Sequence, residues 1–126
     1  MKKVYTINKA PRALGPYSHA TEAAGLFFLS GQLGIDPSTN ELVVGGVVEE
    51  TKQVMENIAV ILEDLGLNFS DVVKSTIFFT DIKDFSRINE IYGSYFSANF
   101  PSRSAVEVSA IAKGAKVEIE MVVTAR

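Results

Sequence analysis

Lys116-Val117-Glu118-Ile119-Glu120-Met121-Val122 is the stretch on which the fold turns. Apolar and acidic residues alternate there with the period of two that a β-strand imposes. Val117, Ile119 and Met121 fall on one face, and Glu118 and Glu120 on the other. One face therefore needs a hydrophobic cover, while the other carries two carboxylates. The preceding stretch, Pro101-Ser102-Arg103-Ser104-Ala105-Val106-Glu107-Val108, reads as a second strand. The two are expected to be adjacent and largely buried, joined around Lys113-Gly114, which brings Arg103 close to a glutamate. Burying either charge alone is costly. An arginine fork matches a carboxylate in two-pronged fashion. Arginine plus glutamate on a sheet reads as a pocket for a small anionic substrate.

Working outward, Gly25-Leu26-Phe27-Phe28-Leu29-Ser30-Gly31-Gln32-Leu33 is a near-continuous apolar run between glycines, the pattern of a strand buried on both faces. Val4 to Ile7 and Tyr17 to Ala20 read as short strands, the second following the Gly15-Pro16 turn signal. Asp36 to Asn40 is a turn. Val47, Val54, Met55, Ile58, Ile61, Leu62 and Leu65 form a helical stripe, with Glu49 and Glu50 in its first turns and Gly66 as its stop. Val72 to Thr80 is the next strand. Asp84 is placed to cap a second helix whose inner face carries Phe85, Ile88, Ile91, Tyr92, Tyr95 and Phe96. The order β-β-β-α-β-α-β-β predicts one α+β domain over residues 1–126, with both helices on one face of the sheet. Two helices leave the second face bare, and another copy of the chain is its expected cover.

Composition narrows the function. With 126 residues, roughly two-thirds of the unfolded surface can be buried in one domain. The net charge is −3 and the 12 basic residues are scattered, which argues against a nucleic-acid surface. The isoelectric point near 5.1 agrees. The absence of cysteine excludes disulfides, thiolate metal sites and a cysteine nucleophile. The N-terminus lacks an apolar core of signal-peptide length, and no apolar run approaches membrane-spanning length, so a soluble cytoplasmic protein is expected. No Gly-rich phosphate loop, HExxH or CxxC occurs, so no cofactor or metal is expected.

Each candidate residue carries two readings. Glu107, Glu118 and Glu120 are a solvated sheet face, or one of them is a general acid or base near Arg103. Arg103 is a structural ion-pair residue or a buried, partnered cation. Ser30-Gly31 is a bulge that relieves strand twist, or a place where a ligand reaches the backbone. Tyr17 packs as an aromatic or presents its hydroxyl. His19, the lone histidine, has no triad or metal context and reads as structural.

Gly15-Pro16-Tyr17-Ser18, Leu29-Ser30-Gly31-Gln32, Leu65-Gly66-Leu67, Val73-Lys74-Ser75-Thr76-Ile77-Phe78, Phe100-Pro101-Ser102-Arg103-Ser104 and Val117-Glu118-Ile119-Glu120 occur in that order. Together they resemble the reactive-intermediate deaminase family (RidA, also called YjgF-like) over essentially the whole chain. The resemblance implies a chorismate-mutase-like fold, a homotrimer with clefts between subunits, and hydrolysis of 2-imino acids and their enamine tautomers, such as 2-aminoacrylate, to 2-keto acids and ammonia. It implies Arg103 as the carboxylate-binding arginine and Glu118 as the catalytic glutamate. Tyr17 is implied as a further catalytic residue, and Ser30, Gly31 and Asn89 as substrate-binding residues of the cleft, with the Ala105 backbone N–H helping to bind the carboxylate. Many members have cysteine where this chain has Ala105, so thiol-dependent switching is not implied here. Two rivals accompany that reading: an endoribonuclease or translation inhibitor, and a trimer that binds a keto acid or amino acid without turnover.

Overall fold

Six strand segments pair into one sheet, and the two helical stripes close over one of its faces. The computed structural model describes residues 1–126. Strands β1 (Lys3–Tyr5), β2 (Ala20–Ala23) and β3 (Leu26–Leu33) lead through a hairpin, β4 (Ile35–Asp36) and β5 (Glu41–Leu42), to helix α1 (Val47–Asp64). Then follow β6 (Val72–Phe79), α2 (Phe85–Gly93), β7 (Ser102–Glu107) and β8 (Val117–Thr124). The six-stranded sheet runs β1-β2-β3-β8-β6-β7, and β4-β5 stands apart. The mixed sheet with two helices on one face is the predicted α+β class. No helix is long and apolar enough to cross a membrane.

Helix α1 forms where the stripe demands it. Val54, Met55, Ile58, Ile61 and Leu62 are all at most 1% exposed. Gly66, at φ 75°, ends the helix. Its amide and that of Leu67 donate back to Glu63 O and Leu62 O at 3.0 and 2.8 Å, a paired closure that needs a left-handed residue. The stripe meets Val117, Ile119, Met121 and Val123 of β8, none more than 2% exposed, in a cluster of 22 buried residues.

Five expectations need correction. First, β7 and β8 are not neighbours: β6 lies between them, antiparallel to β8 and parallel to β7. The β6–α2–β7 segment is a crossover unit, which parallel strands require. The segment after β7 then carries the chain past β6 into the centre of the sheet. Second, β7 is an exposed edge, with only Ala105 half-buried. Third, β3 is buried on one face only: Phe27 and Leu29 are 7% and 5% exposed, whereas Phe28 is 44% exposed. Fourth, Asp84 does not cap α2 through its side chain, and its backbone is already helical. Asp81 caps a preceding 3-10 turn, Ile82–Asp84, by accepting from the Lys83 amide at 2.9 Å, and Asp84 pairs with Arg87. The second strand also starts later than predicted. Residues Gly15 to Ser18 form a loop in which the Tyr17 amide turns back to Gly15 O at 2.8 Å.

The face away from the helices carries Val4, Phe28 and Val106, at 59%, 44% and 43% exposure, on strands β1, β3 and β7. Within one chain no second layer covers this face.

Candidate active site

Glu118 lies at the middle of the open face. It belongs to β8, which is paired on both sides, to β3 and to β6. The β3 register slips from Leu29↔Met121 to Gln32↔Ile119, so Ser30 and Gly31 together oppose the single residue Glu120. Of the two readings of Ser30-Gly31, the register shows the bulge, and that bulge lies beside a carboxylate. A Cβ built on Gly31 would lie 2.3 Å from Glu118 Oε2. Only glycine lets the carboxylate lie down against the backbone here.

A cleft of about 390 Å³ brings Tyr17, Ser30, Gly31 and Glu118 together. Leu14, Leu33 and Ala112 form its apolar part. The Tyr17 hydroxyl accepts from the Leu14 amide at 3.0 Å, which closes the 14–17 loop and still leaves its proton to donate. The Ser30 hydroxyl donates to Ser18 O at 2.6 Å. Burial pushes the Glu118 pKa above its ordinary value, and the neighbouring Glu120 carboxylate pushes it the same way. Glu118 thus holds its proton to a higher pH than an ordinary carboxyl group does.

Arg103 sits elsewhere. It extends from the edge strand β7 toward α2, on the helix side of the sheet, where Nη1 donates to Asn89 Oδ1 at 2.7 Å. Its Cζ lies 5.6 Å from the centroid of the Phe85 ring and 5.3 Å from that of Tyr92. Tyr92 is 4% exposed and its hydroxyl donates to Ser75 Oγ at 2.8 Å. Burial raises the Tyr92 pKa, against an opposing pull from that hydrogen bond and the Arg103 cation. The Val108 amide donates to Phe79 O at 2.7 Å. Ladder alternation then turns the amides of Arg103, Ala105 and Glu107 toward the free edge of β7. The Ala105 N–H is thus on the same edge as the guanidinium.

The expected proximity of Arg103 and Glu118 is not present within one chain. Arg103 is level with Ser75 and Met121, Glu118 with Phe78. They are two strand spacings apart, about 10 Å, displaced by three residues along the strands, about another 10 Å, and on opposite faces. The insertion of β6 between β7 and β8, with the register of both pairings, is the reason. Glu107 belongs to neither group, since its carboxylate accepts from the Ile82 amide at 2.7 Å. His19 is 4% exposed and structural: Nδ1 accepts from the Ile7 amide at 2.8 Å, and Nε2 donates to Pro11 O at 2.7 Å.

Three features escaped the sequence reading. Leu14 and Ala112 line the cleft from irregular segments with no periodicity to announce them. Glu50, read only as a helix-dipole residue, is 3% exposed and accepts from the Lys116 amide at 2.7 Å, while Thr80 N–H donates to Lys116 O at 3.2 Å. The peptide leading to Glu118 is thereby clamped on both sides.

Known proteins place this geometry in context. The family described as Endoribonuclease L-PSP matches residues 7–125. A human protein named 2-iminobutanoate/2-iminopropanoate deaminase is 48% identical over 122 residues, spanning 97% of this chain and 89% of its own. A RutC family protein of Pyrococcus horikoshii is 44% identical, spanning 97% of each. Among solved structures, RidA from an Antarctic Psychrobacter superposes with TM-score 0.93 at 41% identity, over 97% of this chain and 98% of that one. E. coli TdcF, solved with bound serine, gives TM-score 0.92 at 35% identity, over 98% and 99%. With sequence matches over nearly its whole length and its fold in common with these structures, the chain belongs to the endoribonuclease L-PSP (RidA/YjgF) family.

Proposed function

We propose that this protein hydrolyses 2-imino acids and their enamine tautomers, 2-aminoacrylate among them, to 2-keto acids and ammonia, in clefts shared between copies of the chain in a homotrimer. One observation carries the reading: each chain holds two complementary half-sites that cannot reach one another. In a 2-imino acid the carbon to be attacked is bonded directly to the carboxylate carbon, so cation and base must stand within a few ångströms of one small molecule. A second copy, laid on the open face that carries Phe28 and Val106, supplies the missing half and covers that face. The names of the human and other mammalian relatives support the same chemistry.

The steps follow from the residues. Arg103 grips the substrate carboxylate by paired charge-assisted hydrogen bonds, on the order of 1.5–3 kcal/mol each. The Ala105 N–H adds a neutral donor. An enamine first takes a proton at its terminal carbon and becomes the iminium. Ionised Glu118 of the facing copy accepts a proton from water as the oxygen bonds to the iminium carbon. The resulting carbinolamine takes that proton on nitrogen, the C–N bond breaks, and ammonia leaves as the hydroxyl loses its proton to form the ketone. Tyr17, Ser30 and the Gly31 backbone line the water's side of the cleft.

The test is an assay in which a pyridoxal-phosphate-dependent lyase makes 2-aminoacrylate and loss of the imine is followed. Added protein is expected to accelerate that loss, and no acceleration at micromolar protein overturns the reading. A stable monomer by sedimentation at the same concentration overturns the shared cleft. Ribonuclease activity has the family description on its side. The net charge of −3 and the scattered basic residues weigh against it.

A further inference from the structure

The Arg103 guanidinium is solvent-exposed, yet three side chains of one helix hold it. Phe85, Asn89 and Tyr92 stand at i, i+4 and i+7 of α2, a single stripe. The two rings lie 5.6 and 5.3 Å from Cζ, within the range where a cation is attracted to an aromatic face. Neither ring is free to drift. Phe85 packs on Phe79, fully buried, with centroids 5.6 Å apart. Tyr92 is tied by its hydroxyl to buried Ser75 and lies 4.9 Å from Phe96. Asn89 occupies one of the five guanidinium donors, which leaves four (five minus one) for a ligand.

We propose that Phe85 and Tyr92 are positioning residues, an aromatic cradle that orders Arg103 before an anionic ligand arrives and so sets ligand affinity rather than the rate of chemistry. The proposal rests on Arg103 as the carboxylate grip. An arginine on an unpaired edge strand otherwise samples many rotamers and loses that freedom on binding. Here the rings are anchored in the core, so the freedom is already gone.

Packing alone also places aromatics on the inner face of a helix, and the experiment separates the two roles. Phe85 is replaced, in the full chain, by 4-fluoro-, 3,5-difluoro- and 3,4,5-trifluorophenylalanine, which keep the ring's shape and progressively weaken its negative face. KM and kcat for 2-aminoacrylate hydrolysis are measured, together with calorimetric affinity for 2-oxobutanoate. KM and the 2-oxobutanoate Kd are expected to rise stepwise, by about three- to tenfold at the end of the series, with kcat little changed. Phe85→Leu should follow the same direction and Phe85→Tyr should restore affinity. No trend in KM or Kd across the fluorinated series overturns the cradle. A protein that lacks deaminase activity but binds 2-oxobutanoate with the stepwise trend keeps the cradle and loses the deaminase reading. An active protein with a flat series does the reverse, and one that neither hydrolyses nor binds overturns both.

Discussion

The centre of the sheet and its β7 edge place their functional groups by different means. Glu118 is positioned almost wholly by main chain: two ladders, a bulge, the clamp on the Lys116 peptide, and a glycine that makes room for the carboxylate. Arg103 lies on a strand paired on one side only, and side chains of α2 do the placing. A short carboxylate on a central strand inherits the precision of the backbone. A long cation on an edge has no such inheritance and needs a scaffold of rings and an amide. On the proposed function, the same difference makes one chain half a site twice over, since the two groups point to opposite sides of the same sheet.

The largest expected effects come from removing either group. Glu118→Gln should lower kcat by about 10²–10⁴ while 2-oxobutanoate still binds, and Arg103→Ala should abolish that binding. Unfolding and refolding the two inactive variants together would then decide how the halves meet. In a ring of three assembled at random, about a quarter of the interfaces pair an intact arginine with an intact glutamate, and about that share of activity should return. A mixture as inactive as its parents would show that the two half-sites are never shared.

Gly31→Ala probes the backbone-built half alone. The new methyl group cannot coexist with Glu118 Oε2 as it lies, and displacing the carboxylate should lower kcat/KM about ten- to a hundredfold. The melting temperature should change little, because the group that yields is a side-chain tip facing the open side. Retained activity would mean that the base has latitude the ladder geometry does not suggest. The same change at Ser30 lacks this contact.

The smallest effect is in pH dependence. Because the Glu118 pKa is raised, kcat/KM should fall with acidity at a pH above the ordinary carboxylate range, and Gln at 118 should remove that limb. In folding, the native chain holds the extra proton between the ordinary and the raised value. That contribution to stability is present at low pH and is lost as pH rises through this window. The melting temperature of Glu118→Gln should therefore gain on the wild type as pH rises through the same interval. A constant difference would place Glu118 in a fully wet environment.

Much of the architecture was legible in one dimension. The alternation in 117–122 correctly placed three apolar residues toward the helices and both glutamates away from them, because a strand's period of two leaves no other choice. The α1 stripe and its Gly66 stop were equally explicit, since the helical repeat and a left-handed closure are local properties. The bareness of the second face also followed from counting helices. Which strand lies beside which did not: the short 108–116 connection looked like a hairpin, and only the assembled sheet puts β6 between β7 and β8. Pairing partners are chosen by contacts distant in sequence, and no local pattern encodes them. The same holds for the holder of Arg103. Phe85 and Tyr92 read as ordinary core aromatics on an inner helix face, and only the crossover that brings α2 beside β7 turns that stripe toward a cation.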